Sequence, residues 1–405
     1  MQRIIHIILC NGIAKGLKLL FEIVTGKSKI GKFESLIHYN ANNPDKVDVV
    51  ANNREETIYA IDQTGAGYNR VLQKGIEINS CVFQFKQASC FAYSDLIVLH
   101  KGSLYCEIKE NPLIKHSSDC SDGFVLLKDW KYYCAVNIPS IVEYLPKGIF
   151  VSGLFSWNYY HFTFQIVTKL RCISMIPADV PLLVDKNAVE IPSFAELLKI
   201  CNTQSRPILV MDKKVRYKVD ELYYVSMQTF LEPNHKKGTK SMDVCCFYKP
   251  LTLSFLREMM IPVAKNIDFI GPKRIFLGRK YASGRRPFNE EECIECAKEF
   301  GFEVVYPEML TLQQQVKLFN DAEAIVGGSG AAFTNLVYCN YGVKVLVLCK
   351  YYPSTGLWQP IIEYIGGRLW HVMESKSMNH DPLKMHASYK INIDDLKAAL
   401  YELLQ

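Results

Sequence analysis

Between Lys273 and Cys349 the chain alternates strand-like and helix-like patterns, and this restricts the stretch to an α/β unit built on a parallel sheet. RIFLGR, Arg274 to Arg279, reads as a first strand, followed by a polar loop that carries Arg285 and Arg286. A helix is expected from Asn289. Asn can cap the first N–H groups, Glu290, Glu291 and Glu292 suit the positive end of the helix dipole, and Gly301 is a natural stop. FEVVYP is the next strand. TLQQQVKLFNDA then places Leu312, Val316 and Leu318/Phe319 at helical spacing, with Thr311 as its cap. AEAIVGG follows as a buried parallel strand, then the turn GGSGAAFTNLVYC, and KVLVLC continues the sheet.

A strand, a glycine turn and a helix in that order aim free backbone N–H groups at an anion. Read without a ligand, Gly327, Gly328 and Gly330 only make a tight turn, and the spacing alone leaves both readings open. A dinucleotide fingerprint would need glycine where Phe333 stands and an acid soon after the following strand, where Lys350 stands, so NAD and FAD fit poorly. No G-x-x-x-x-G-K-[ST] occurs, which excludes a P-loop NTPase. A nucleoside diphosphate at a helix N-terminus remains open.

A chain of 405 residues, 49% of them hydrophobic, can bury two cores of ordinary size. The net charge of +6 is mild and no long basic run occurs, so nucleic acid is not an expected partner. The 14 cysteines are scattered and read as reduced cytosolic thiols. Cys293 and Cys296 form a C-x-x-C inside the expected helix without a second pair, so they reflect one helix face, and no metal site is expected.

RIIHIILC and IAKGLKLLFEIV near the N-terminus are apolar but broken by His6, Asn11, Lys15 and Lys18, too often to span a bilayer. They lack the features of a signal peptide, which points to a cytoplasmic location. Leu17, Leu19, Leu20, Phe21 and Val24 with Lys15, Lys18 and Lys27 could rest as a helix on the inner, anionic face of the plasma membrane, or pack on the protein's own core. From Asn40 to Tyr68 the chain is polar, and CVFQF, LIVLH, LYCEI, FVLLK and YYCAVN beyond it read as strands. PLLVD, PILVM and ELYYVS, with the helix SFAELLKICN, complete a first α/β unit.

GLFSWNYYHFTFQIVTKLRCI precedes these segments, with Asn158 and His161 three apart on one helix face. Taken alone, His161 reads as a satisfied core or capping histidine. A polar linker, Leu231 to Asp243, carries Lys236, Lys237 and Lys240. The division expected is 1–240 as an N-terminal α/β domain with a β-rich insertion, 241–375 as a Rossmann-like domain, and 376–405 as a closing helix that crosses back to the first.

RIFLGRK, RRPFNEEE, GFEVVYPEMLTLQQQ and VGGSGAAFTN, in that order, resemble the core of glycosyltransferase family 61, and N-Y-x-H-F at Asn158, Tyr159, His161 and Phe162 is similar to a further family segment. By position the resemblance selects Arg279, Arg286, Asn289, Glu290, Glu308, Leu310, Gln315, Gly327, Gly330, Ala331, Thr334 and Asn335. Three positions depart from it. Ser329 stands where many members have His, Gln165 where members often have an acid, and Val347 where a glutamate often holds a ribose.

The resemblance implies a GT-B-like α/β fold, two Rossmann-like domains facing a cleft, with extra β strands in the first. It implies inverting, metal-independent transfer from a nucleotide-sugar donor, UDP-linked, to a glycan or lipid-linked glycan acceptor in capsular or cell-surface polysaccharide synthesis, and no cofactor. His161, Arg279 and Arg286 are the catalytic candidates. Asn158, Gly327, Gly328, Ser329, Gly330, Ala331, Thr334, Asn335, Glu308 and Gln315 are the donor-binding ones. Ser329, Gln165 and Val347 also motivate a rival of a different class, a non-catalytic sugar-nucleotide or glycan-binding subunit of a polysaccharide assembly complex.

Overall fold

The computed structural model describes residues 29–32, 34–35, 42–43, 45–55, 58–61, 71–74, 78–110, 126–129, 133–231, 246–279, 287–350, 357–374 and 388–405. The apolar N-terminal stretch, the lysine-bearing part of the linker, and Arg285 and Arg286 lie outside them. Among the described residues no helix is long and apolar enough to cross a membrane.

The larger sheet has eight strands: β1 (Val47–Glu55), β2 (Ile78–Cys90), β3 (Ile97–Val98), β4 (Leu104–Tyr105), β5 (Ile141–Val151), β6 (Leu182–Asp185), β7 (Ile208–Met211) and β8 (Val215–Val225). Their order is β7-β6-β5-β8-β2-β3-β4, with β1 lying along β2. The run β7-β6-β5-β8 is parallel, and β2 pairs antiparallel to β8. Residues 182–185 are buried throughout, as expected of an apolar strand covered on both faces. β1 falls in the stretch expected to be merely polar. Its pairing with β2 from Val47↔Phe85 to Glu55↔Ile78 overrides the poor strand propensity of Asn52 and Asn53. Thr229–Leu231 and Cys246–Tyr248 belong to a separate four-stranded sheet with Ile58–Ile61 and Val71–Lys74.

The second sheet is wholly parallel: β9 (Arg274–Leu277), β10 (Glu303–Val305), β11 (Ala324–Gly328), β12 (Lys344–Cys349) and β13 (Arg368–Met373), in the order β10-β9-β11-β12-β13. Its helices are α3 (Glu290–Glu299) and α4 (Leu312–Asp321), while α1 (Pro192–Cys201) and α2 (Pro250–Ala264) precede them in the chain. Thr311 opens α4 with a full capping box, accepting from the Gln314 N–H while the Gln314 side chain accepts from its own N–H. Gly301 ends α3 at φ +78°, where a side chain would be strained, and Phe302 N–H closes back on the Ala297 carbonyl. Asn289 stands at the cap position but does not cap. Its side chain instead pins the backbone of Ile391 through two bonds, at 2.8 and 3.1 Å.

One apolar cluster joins the two sheets. It contains Ile149 and Val184 of the first sheet, Phe162 and Phe164, Leu256 and Met260 of α2, Val316 of α4, and Ile325 and Val345 of the second sheet. A further cluster covers the opposite face of the second sheet, where Leu396, Ala399, Leu400 and Leu403 of α5 (Ile393–Leu404) pack with Phe276, Val326, Leu346 and the α3 residues Cys293 and Cys296. The closing helix therefore buries its apolar stripe on the second sheet instead of crossing to the first. Asn392 caps it by accepting from the Asp394 and Asp395 N–H groups.

Candidate active site

The order β10-β9-β11-β12-β13 reverses direction between β9 and β11. Loops that follow two such neighbouring strands leave the sheet to opposite sides, and the crevice between them is where ligands settle in open α/β sheets. Here the loop after β9 begins with Arg279, and the loop after β11 is Ser329 and Gly330. Arg279 is held at both ends. Its backbone N–H donates to the Glu290 carboxylate at 2.6 Å, and its guanidinium donates to the Ser329 carbonyl at 3.2 Å.

The glycines answer to different neighbours. A Cβ on Gly327 would meet Leu277 Cβ at 2.8 Å and its carbonyl oxygen at 3.1 Å, so adjacent parallel strands demand the glycine. A Cβ on Gly328 would press the Phe288 ring at 3.0 Å. At Gly330 the backbone is extended, and a Cβ would lie 3.4 Å from the Arg279 guanidinium carbon, an ordinary contact. Steric demand of the fold thus explains Gly327, and proximity to the cation distinguishes Gly330. The helix expected after the turn is present over Ala331–Tyr338, as a 3-10 helix. Among the described residues no protein acceptor meets the N–H groups of Gly330, Ala331 and Ala332.

Thr334, Asn335 and Gln315 lie beneath the turn. Thr334 and Asn335 are fully buried. Tyr159 Oη donates to Asn335 Oδ1 at 2.7 Å, Asn335 Nδ2 donates to Gln315 Oε1 at 2.9 Å, and Gln315 Nε2 donates to the Leu310 carbonyl at 3.1 Å. This chain ties the helical run after β5 to the turn after β11, so these residues hold the turn in place. Asn335→Ala is expected to cost about 1–3 kcal/mol, because the Gln315 carbonyl and the Tyr159 hydroxyl then lose their partner in a dry environment. Denaturant unfolding of the variant measures it. Glu308 is exposed in the turn Pro307–Met309 after β10, and Val347 is buried in the core.

Asn158 caps the other helical run, its side chain accepting from the Tyr160 N–H at 3.0 Å. The run begins with an α turn at Tyr159–His161, passes through a π turn at Phe162–Ile166 and ends as a 3-10 turn at Val167–Cys172. π turns of this kind are frequent at functional sites. His161 Nδ1 lies 2.6 Å from Gln165 Oε1. A carbonyl oxygen only accepts, so Nδ1 carries the proton and Nε2 presents its lone pair. Burial pushes the imidazole down to about 4, against a smaller upward pull from Gln165. Gln165 thereby fixes the tautomer, a job that does not need the acid expected at that position.

His161 faces a cavity on the first sheet, lined also by Asp95, Leu154, Phe155, Gln165, Lys169 and Thr229, and no residue of the 327–335 turn lines it. The structure accordingly builds two polar centres, one on each sheet, linked through Tyr159 and Asn335. Two bulky residues beside the cavity's loops sit in the left-handed backbone region, Tyr93 at φ +56° and Phe155 at φ +59°. The Phe155 ring packs 5.1 Å from the His161 ring. Asp185 holds both strained loops. It accepts from the Tyr93 N–H at 2.8 Å and from the hydroxyls of Ser152 and Ser156, and burial raises its carboxyl to about 6. No pattern in the sequence marks Asp95, Asp185 or Thr229, since each joins the site from a different strand end.

Cys293 and Cys296 are buried thiols whose ionisation burial opposes, and among the described residues no group of three or more His, Cys, Asp and Glu side chains is placed to hold a metal.

Residues 159–346 match a family model described as Glycosyltransferase 61. That span includes His161, Thr229, Arg279 and the glycine turn, and leaves Asp95 outside. No curated protein matches the chain. Among solved structures, a mutant flavo di-iron protein from Thermotoga maritima covers 67% of this chain and 89% of its own at 10% identity, with a TM-score of 0.24, too low a likeness to bear on fold or function.

Proposed function

We propose that this chain, whose residues 159–346 match the glycosyltransferase 61 family model, moves a sugar from a nucleotide-sugar donor, UDP-linked, to a hydroxyl of a glycan acceptor. The observation that carries the reading is the crevice between β9 and β11, where Arg279 and the unmet N–H groups of Gly330, Ala331 and Ala332 converge. Cleaving a nucleotide-sugar releases a diphosphate. Preorganised donors aimed at such a leaving group contribute about 3 kcal/mol each to the transition state. Backbone N–H groups at a helix start and one guanidinium supply them without a metal ion, and the sequence offers no D-x-D motif to hold one.

In this mechanism the acceptor oxygen attacks the anomeric carbon from the face opposite the diphosphate, with inversion. The bond from that carbon to the phosphate oxygen breaks, the nucleoside diphosphate leaves with the electron pair, and the hydroxyl proton passes to His161 Nε2. The two sheets then take the donor and acceptor roles of a GT-B-like pair, bridged by Tyr159 and Asn335. We place the work inside the cell, at the membrane face where cell-surface polysaccharide is assembled.

Arg279→Ala tests the leaving-group role. Turnover is expected to fall about 100-fold or more, with an unfolding midpoint close to that of the unaltered protein, since the turn that accepts from the guanidinium is also anchored by Tyr159 and Asn335. An unchanged rate would move the positive charge elsewhere.

A further inference from the structure

The His161 cavity lies where the first sheet's strand order turns. β5 is followed by β6 on one side and has β8 on the other, with Phe150 opposite Tyr224, so the chain segments after β5 and β8 part at their carboxyl ends. Leu154 and Phe155 come from the first of these segments, Met227, Thr229 and Phe230 from the second, and Asp95 from the chain after β2. The cavity has about 30 Å³ for water-sized occupants, within about 400 Å³ of empty space that opens to solvent. That is room for the polar edge of a sugar ring at a mouth, not for a whole ring enclosed.

Its polar lining is built and incomplete. Asp95 Oδ2 accepts from the Leu154 N–H at 3.0 Å. Oδ1 lies where a Cβ on residue 153 would approach it to 2.7 Å, so Gly153 makes the space for this carboxylate. The Lys169 ammonium, also in the lining, donates to the Ser152 carbonyl at 2.7 Å. Thr229 is fully buried, and its hydroxyl has no hydrogen-bond partner among the described residues. A buried hydroxyl without a partner is costly, and one carried by a residue that lines a cavity calls for a polar occupant. His161 Nε2 is the second group with an unused lone pair there.

We propose that this cavity is the acceptor-sugar site and that Asp95 and Thr229 read a pair of neighbouring hydroxyls on it. The attacking hydroxyl gives its proton toward His161 Nε2 and receives a hydrogen bond from Thr229 Oγ1. The adjacent hydroxyl donates to Asp95 Oδ1. The assignment rests on the transfer reading for the identity of its ligand, a sugar with vicinal hydroxyls, and adds the residues that select it. Burial raises the Asp95 carboxyl, opposed in part by Lys169, which fits a group whose charge is completed by a donor from outside.

Binding of a panel of methyl glycosides, followed by ligand-observed NMR in the presence of UDP, tests it on the unaltered protein, Asp95→Asn and Thr229→Val. At least one glycoside is expected to bind, with affinity lower about tenfold or more in each variant and UDP affinity unchanged. A glycoside lacking the adjacent hydroxyl is expected to bind the unaltered protein and Asp95→Asn equally. Thr229→Val is isosteric and removes the orphaned hydroxyl, so it is expected to raise the unfolding midpoint without ligand, the opposite of what loss of a structural hydrogen bond does. Glycoside affinity equal in all three proteins, or binding of none, overturns the assignment. Glycoside binding that the variants weaken, in a protein that turns over no nucleotide-sugar, would keep the site and discard the transfer reading.

Discussion

A folded His161→Ala protein loses the transfer step about 100-fold or more while it still binds nucleotide, because the variant removes the base and leaves the second sheet's crevice untouched. The imidazole is in place for that job before any substrate arrives. Gln165 Oε1 accepts from the Nδ1–H group at 2.6 Å, and the Phe155 and Tyr160 rings hold the imidazole at 5.1 and 5.3 Å. The pH dependence follows from burial. An ordinary histidine would shed activity as pH falls through 6.5, whereas here the group titrates at about 4. Single-turnover rates are therefore expected to be level from neutral pH down to about 5 and to fall as the imidazole protonates near 4. The same shift acts on stability. The unfolded chain binds this proton more readily than the folded one, so stability declines as pH drops from 6.5 toward about 4. A near-normal single-turnover rate in donor-saturated His161→Ala would remove the imidazole from the chemistry.

Gly330→Val abolishes nucleotide binding, with UDP affinity lower by about 100-fold or more. The reason is not backbone strain, since Gly330 is extended at φ −177° and accepts any residue. A first side-chain carbon already sits 3.4 Å from the Arg279 guanidinium, so the two further methyls of valine must push that cation away and cover the N–H groups of Ala331 and Ala332. The unfolding midpoint is expected to change little, which separates this site from Gly327. There a Cβ meets the backbone of the neighbouring strand and the same substitution costs stability. UDP titration of both variants makes the distinction. Undiminished affinity in folded Gly330→Val would place the diphosphate away from this turn.

The second sheet was the legible part of the chain. Its signals are local: the Thr311 capping box, the acidic first turn of α3, Gly301 with its positive φ, and the buried run Ala324–Gly328 are each read within a few residues. Asn289 shows where local reading stops, because the same side chain that suits a cap is taken by Ile391, 102 residues away. Strand order is longer-ranged still, and with it the crevice between β9 and β11 that gives the turn its chemical meaning. The motif residues also divided in a way no motif states. Arg279 and Gly330 border the crevice, whereas Asn335 and Gln315 brace it from below, Thr334 is buried beside them and Asn158 caps the start of a helix. On the first sheet almost nothing was legible beyond His161. Asp95, Gln165, Lys169 and Thr229 meet only because the parallel strands β5 and β8 end side by side and the chain after β2 returns to them, and the antiparallel β2–β8 pairing joins residues far apart in the chain, such as Phe85 and Leu222.

Transfer from a nucleotide-sugar is tested by release of nucleotide from a panel of nucleotide-sugars, with and without glycan acceptors. One donor, UDP-linked, is expected to be consumed faster when acceptor is present, with product forming in step with free UDP, and Arg279→Ala and His161→Ala are both expected to suppress it. Binding of donor with no nucleotide released under any acceptor would rule out transfer and leave a sugar-nucleotide binding protein in its place.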